Sequence, residues 1–160
     1  MVRQYQPDDA AALWELKRGF ELGLGDGSGD EEKATRYEEK LTEQYREDYL
    51  DWVGRCIGEE KQAVQIAERE GSVVGYVFVL PETYAHIWDG AVINELYVKP
   101  DYRGEGIGDE LLEVALNVAQ SQSLPLDRVL LDVDEENGPA RALYEKHGFD
   151  HWGEMLSRPL

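Results

Sequence analysis

The sequence carries one cysteine, three histidines and six lysines, and each scarcity excludes something. The single Cys56 cannot form an intrachain disulfide, which fits a reducing compartment. His86, His147 and His151 show no metal-ligand spacing, so no metal centre is expected. No apolar run approaches the roughly 20 residues of a membrane span. Met1 to Tyr5 leads into a polar segment and not into the apolar stretch of a signal peptide, so a cytoplasmic setting is expected. Basic residues number 16 against 34 acidic ones, for a net charge of −18. Nucleic acid is an improbable partner for such a chain, because phosphate contacts need Lys and Arg.

The acid is spread along the whole chain, from Asp8-Asp9 through Glu31-Glu32 to Asp134-Glu135-Glu136, so it is not a tail. Such a field steers cationic partners inward. The pattern resembles that of proteins from salt-loving organisms, whose carboxylate-rich surfaces stay soluble in concentrated salt. At molar salt the Debye length shrinks to about 3 Å, which relieves the self-repulsion.

What is present describes a globule. The 160 residues are 42% hydrophobic and 10% aromatic, enough for one domain with a packed core. A loose alternation predicts a first strand over 2–6. Pro7-Asp8-Asp9 opens a helix over 10–22, with Leu13, Leu16 and Phe20 at helical spacing. The glycines of 23–30 read as a flexible loop. A second helix is expected over 31–57, with Tyr37, Leu41, Tyr45, Tyr49 and Trp52 along one face, packed on a sheet. Strands follow at 62–70 and 72–80, joined by a hairpin turn at Glu70-Gly71. A loop at 81–90 carries Tyr84, His86 and Trp88. Further elements are a strand over 91–98, a helix over 108–121, a strand over 128–133, a helix over 138–147 and a last strand over 149–157. The order implies a mixed sheet with helices on both faces.

Chemistry concentrates where the strand over 91–98 ends. Leu96-Tyr97-Val98-Lys99-Pro100 runs into Asp101-Tyr102-Arg103-Gly104-Glu105-Gly106-Ile107-Gly108, and a helix with an apolar face begins. Glycines let the backbone turn tightly and come close to a ligand. The first N–H groups of a helix have no internal partner and sit at its positive end, so the turn can cradle a phosphate or pyrophosphate. A P-loop would need Gly-Lys-Ser/Thr, but Asp109 follows Gly108. A Rossmann fingerprint would need G-x-G-x-x-G after a βαβ start, and the spacing here is wrong.

The segment resembles the Gln/Arg-x-x-Gly-x-Gly/Ala signature of the GNAT acetyltransferase superfamily. Arg103, Gly106 and Gly108 fill its three positions, and Tyr102, Gly104 and Ile107 agree with common usage beside it. A second block, Asn137-Gly138-Pro139-Ala140-Arg141-Ala142-Leu143-Tyr144-Glu145-Lys146-His147-Gly148-Phe149, is similar to the family's Asn-x-x-Ala-x-x-x-Tyr-x-x-x-Gly-Phe. By its own residues it is a capped helix: Asn137 suits an N-cap, Pro139 the first turn and Gly148 the stop.

The resemblance implies an α/β fold with a mostly antiparallel mixed sheet, spanning 1–160 as one domain. It implies acetyl-CoA as acyl donor and a primary amine, on a small molecule or peptide, as acceptor. It places the pyrophosphate of coenzyme A on Arg103, Gly104, Glu105, Gly106, Ile107 and Gly108. The acyl and pantetheine groups would lie along Leu96, Tyr97 and Val98, with Val98 N–H polarising the thioester carbonyl. Asn137, Ala140 and Tyr144 would border the cofactor arm, with Tyr144 as general acid toward the leaving sulfur. Glu95 is the candidate base for the amine. By simple alternation it shares a face with Ile93 and Tyr97, and Asn94 faces away. Tyr84 and Trp88 are candidates for the acceptor side. Two readings compete: an acyl-CoA sensor of the same fold without turnover, and a purely structural glycine turn. Members of the family often dimerise, which leaves a homodimer open.

Overall fold

The computed structural model describes residues 1–26 and 31–160. Among these residues five strands form one sheet in the order β1-β2-β3-β4-β5: β1 Val2–Gln4, β2 Val64–Arg69, β3 Ser72–Val79, β4 Ala91–Val98 and β5 Val129–Leu131. The first four pair antiparallel, and β4 pairs with β5 in parallel. The β2–β3 turn falls at Glu70-Gly71, both with positive φ (52° and 80°), and Arg69 faces Ser72 across it. Two positive values are what a tight two-residue hairpin needs.

Helices α1 (Ala10–Asp26) and α3 (Glu43–Glu59) cover one face of the sheet. Leu13, Leu16, Val53, Cys56, Tyr76 and Phe78 make a core there. Helices α4 (Ile107–Gln120) and α5 (Gly138–Lys146) bring Ile107, Leu111, Leu112, Ala115 and Tyr144 against Val74, Val77 and Val79 on the other face. Each large side chain buried in these layers contributes about 1.5–3 kcal/mol relative to exposure.

Three expectations need correction. Residues 23–26, read as loop from their glycines, continue α1, and 27–30 lie outside the described residues. A glycine costs a helix only about 1 kcal/mol, which continuing the hydrogen-bonded turns can offset. The single helix over 31–57 is two, α2 (Glu31–Lys40) and α3, divided at Leu41-Thr42. Thr42 is the N-cap of α3 and its hydroxyl accepts from Tyr45 N–H at 3.1 Å, a bond worth about 1 kcal/mol. Tyr37 therefore sits on α2, while Tyr45, Tyr49 and Trp52 share α3. Residues 149–157 form no strand, and 150–160 are exposed. Their apolar residues, Trp152, Met155 and Leu156, do not alternate, so no strand face could bury them together.

Candidate active site

The site begins where β4 and β5 part. Among the described residues their register ends at Ile93↔Leu131, although β4 continues to Val98. On its other side β4 stays paired: Tyr97 faces Tyr76, and Lys99 N–H reaches Val74 O at 2.8 Å. Antiparallel pairing alternates, so the main-chain groups of Leu96 and Val98 turn away from β3 and toward the gap. The backbone stretch expected to carry the acyl arm thus has an edge with no strand beside it among the described residues. Leu96 packs toward the α4 face of the sheet and Tyr97 toward the α1 face. α1 reaches Tyr97 through Gly19, where a Cβ would strike the Tyr97 ring.

Pro100–Tyr102 makes a short 3-10 turn, and Gly106, with φ of 85°, is the N-cap of α4. Gly104 also has positive φ, at 84°, and a Cβ at either glycine would meet nothing within 4 Å. The turn is therefore open on its outer side, with the first N–H groups of α4 unclaimed by the helix. Arg103 is tied inward: its Nε donates to Val98 O at 2.9 Å and its guanidinium lies 5.4 Å from the Tyr97 ring. Glu105 is exposed, and Ile107 buries its side chain, leaving its backbone as what it offers a ligand.

Two carboxylates in the first turn of α4 would oppose an anion, and both are answered. Asp109 accepts from His147 Nε2 at 2.8 Å and Lys146 Nζ at 2.9 Å, and these partners hold its carboxyl below the ordinary range. Glu110 pairs with Arg69 at 2.9 Å. The Asp109 contacts fix the end of α5 to the start of α4. Gly108 fixes it too, because a Cβ there would lie 3.2 Å from Leu143 Cδ2. Gly108 is thus the close-packing glycine of the turn.

On α5, Asn137 is the N-cap and accepts from Ala140 N–H at 3.2 Å. Asn137 is exposed, Ala140 half-buried and packed on the α4-side core, and Tyr144 buried, with its ring edge-on to Phe149 at 5.8 Å. Burial pushes the Tyr144 hydroxyl up to about 12.

Glu95 differs most from expectation. A bulge falls where the β3–β4 register shifts between Phe78↔Glu95 and Val79↔Ile93, leaving Asn94 as the extra residue. Alternation breaks there: Ile93 packs with the α4 face, while Glu95 meets residues of α1 and α3. The expected sharing of a face by Ile93 and Glu95 is therefore wrong, because a bulge re-aims the side chains that follow it. Nor does Asn94 face away, since its Nδ2 donates to Glu95 Oε2 at 2.9 Å. Glu95 is 4% exposed. Oε1 accepts from Tyr49 at 2.7 Å and Tyr76 at 2.8 Å, and Oε2 also accepts from Lys17 Nζ at 3.0 Å. A carboxylate has about four acceptor positions, and four donors fill them.

Lys17 is not among the residues expected above, although the sequence holds a signal: a lysine on the same stripe as Leu13, Leu16 and Phe20, with Glu21 one turn on. Tyr49 and Tyr76 read only as core. Burial, and after it the negative charge of Glu95, push both hydroxyls well above the ordinary tyrosine value of 10.0. A group that keeps its proton longer when folded contributes stability that is intact below its unfolded value and lost as pH rises through the folded one. With Tyr144 shifted the same way by burial, stability is expected to hold to about pH 10 and then fall steeply. Tyrosinate absorbance and circular dichroism should change together in an alkaline titration. Ionisation of all nine tyrosines near pH 10 without unfolding would contradict the burial.

The remaining candidates lie apart. The loop over 81–90 is at the end of β4 opposite the glycine turn. Tyr84 accepts there from Trp52 Nε1 at 3.2 Å, and Trp88 is half-exposed. The Cys56 thiol is buried and pushed up to about 11, which makes it a poor nucleophile. Among the described residues no cluster fit for a metal occurs, and no helix is long and apolar enough to cross a membrane.

Comparison with known proteins shows what the chain resembles. The chain is 41% identical over 90 residues to a mycothiol acetyltransferase of Thermobispora bispora, covering 54% of this chain and 30% of that one. It is 31% identical over 91 residues to a putative ribosomal protein bS18-alanine N-acetyltransferase of Bacillus subtilis, covering 55% and 54%. It thus spans about half or less of these two curated relatives. Among solved structures, the PaiA N-acetyltransferase of Thermoplasma acidophilum in complex with coenzyme A superposes with a TM-score of 0.68 at 21% identity, over 94% of this chain and 89% of that one. A ribosomal-protein-alanine N-acetyltransferase of Brucella melitensis gives 0.69 at 23%, over 96% and 86%. At such identity these two show a shared fold. Residues 29–149 match the model of the acetyltransferase (GNAT) family, and with three quarters of its length inside that match the chain belongs to this family.

Proposed function

We propose that the protein transfers the acetyl group of acetyl-CoA directly to a primary amine held beside it. The observation that carries this reading is the open glycine turn at the head of α4, set against the free edge of β4. It offers unpaired N–H groups to a pyrophosphate, and Leu96 and Val98 N–H to the acyl arm. The amine nitrogen attacks the thioester carbonyl carbon, and the carbonyl oxygen gathers charge against Val98 N–H. The carbon–sulfur bond then breaks under a hydrogen bond from Tyr144. The amine's proton goes to Glu95, and because that carboxylate has no open acceptor position it must arrive along one of the hydrogen bonds that fill it. Positioning supplies most of the rate, and proton transfer adds to it.

The acceptor is proposed no more narrowly than a primary amine, because the relatives' own names point to different substrates. The protein's negative field favours a cationic one. Calorimetric titration of acetyl-CoA in ~2 M KCl tests the reading. The wild type is expected to bind with micromolar affinity, about −8 kcal/mol. Gly106→Asp puts a carboxylate on the open side of the turn at a left-handed position, and affinity should fall at least ~100-fold while the circular dichroism spectrum is kept. A folded wild type that does not bind acetyl-CoA ends the proposal. Binding licenses a turnover screen with spermidine, an alanine-terminated peptide and a lysine amide.

A further inference from the structure

The charged cluster beneath β4 holds more than the transfer reaction described above uses. Lys17 is 4% exposed, a burial rare for lysine. Its Nζ lies 3.0 Å from Glu95 Oε2 and 2.5 Å from Glu21 Oε1, and 4.7 Å from the centre of the Tyr49 ring. Glu21, 3% exposed, has Lys40 Nζ of α2 2.8 Å from its other oxygen. Two carboxylates and two ammonium groups therefore balance, and Lys17 touches both carboxylates. Burial alone would pull Lys17 down, but Glu95 and Glu21 outweigh it and hold the ammonium above the ordinary lysine range.

We propose that Lys17 is a positioning residue for the transfer: it sets the charge and the orientation of Glu95, so that the proton-accepting side works as a Lys17–Glu95 couple and not as a lone carboxylate. This rests on the reading of Glu95 as proton acceptor. The geometry gives the reason. Glu95 sits just past a bulge, on a strand half that has lost its β5 neighbour, and a buried carboxylate without a cation takes up a proton and turns neutral. The elements around it contribute different groups. α1 supplies Lys17 and Glu21, α3 the Tyr49 hydroxyl and, against Glu21, that of Tyr45, β3 the Tyr76 hydroxyl, and β4 itself the Asn94 amide. Among these Lys17 is the one cation in contact with Glu95. The hydroxyls and the amide orient the carboxylate, and the ammonium decides whether it is charged.

Two substitutions should move the system in opposite directions. Lys17→Met removes the cation, so Glu95 should take up a proton at higher pH. Glu21→Gln leaves the ammonium wholly to Glu95, so protonation should need lower pH. The readout is a pH titration of glutamate side-chain carbon signals by NMR in ~2 M KCl, with Glu95 assigned from Glu95→Gln, beside the acid limb of kcat/KM for the best amine of the screen. The expected result is an upward move of at least about one pH unit for Lys17→Met in both, and a downward move for Glu21→Gln. A purely structural lysine would lower the melting temperature and leave both midpoints in place, which overturns the proposal. If the NMR midpoint moves and the kinetic limb does not, Glu95 is not the proton acceptor and the proposal also falls. Should Lys17→Met not fold, Glu21→Gln alone decides by the sign of its shift. Failure of the wild type to bind acetyl-CoA would end the transfer reading separately, while the NMR arm still decides whether Lys17 sets the charge of Glu95.

Discussion

Tyr144→Phe is expected to lower kcat by about 10²-fold while acetyl-CoA affinity stays within about twofold. The magnitude follows from the residue's setting. Burial pushes the hydroxyl to about 12, so it keeps its proton across the neutral range. Complete transfer to a thiolate of ordinary pKa about 8.5 would then be uphill by roughly 3 to 4 units, or about 4–5 kcal/mol. In the proposed reaction the hydroxyl therefore does more as a hydrogen-bond donor to the departing sulfur than as the source of its proton, which solvent can supply after the bond has broken. Loss of one such preorganised donor costs 10²–10³ in enzymes that rely on it. The wild-type rate should show no basic limb from Tyr144 below about pH 11. Single-turnover rates with saturating acetyl-CoA, taken beside calorimetric affinities, make the test. A fall in kcat of less than about fivefold would leave Tyr144 as a packing residue against Phe149.

The parts of this fold that were legible in sequence are those decided by local chemistry. The β2–β3 hairpin followed from one glutamate–glycine pair, and α5 from Asn137, Pro139 and Gly148, which cap, start and stop it. The strand over 91–98 matched residue for residue. What was not legible depended on partners distant in sequence. Residues 149–157 looked like a strand by composition, but a strand exists only by pairing, and nothing local says whether an edge receives it. The division at Thr42 was readable in principle, because Thr before Glu is a helix-start signal. The apolar spacing from Tyr37 to Trp52 overrode it.

The site divides in the same way. The glycine turn and the Asn137–Tyr144 helix are marked by short motifs, and the structure packs that helix on the start of α4 through Asp109 and Gly108. The surroundings of Glu95 are not legible in the sequence, because alternation assumes an unbroken strand. One extra residue at Asn94 exchanged the two faces and moved Glu95 away from Ile93 and onto Lys17. Gly108 shows the reverse case. The family resemblance placed it on the pyrophosphate, and the structure adds its contact with Leu143, through which α5 is fixed to α4.

Salt is expected to change stability more than most single substitutions. The net charge of −18 comes from 34 acidic and 16 basic residues, so at least half of the carboxylates have no cation of their own. At 0.01 M salt the Debye length is about 30 Å, and every carboxylate on a domain of this size feels most of the others. At 1 M it is about 3 Å, and only neighbours interact. The buried Lys17–Glu21–Glu95 cluster is shielded from bulk ions, so screening acts on the surface and spares the site. The melting temperature should therefore rise by about 10 °C or more between 0.1 M and 2 M KCl, which corresponds to roughly 3 kcal/mol for a chain of this length. Sodium chloride should match potassium chloride closely if screening is the cause, whereas salts ranked by exclusion from protein surfaces should differ at equal ionic strength. A melting temperature that is flat in KCl would mean that the acidic surface is not held under repulsion, and the likeness to proteins of salt-loving organisms would then be one of composition alone.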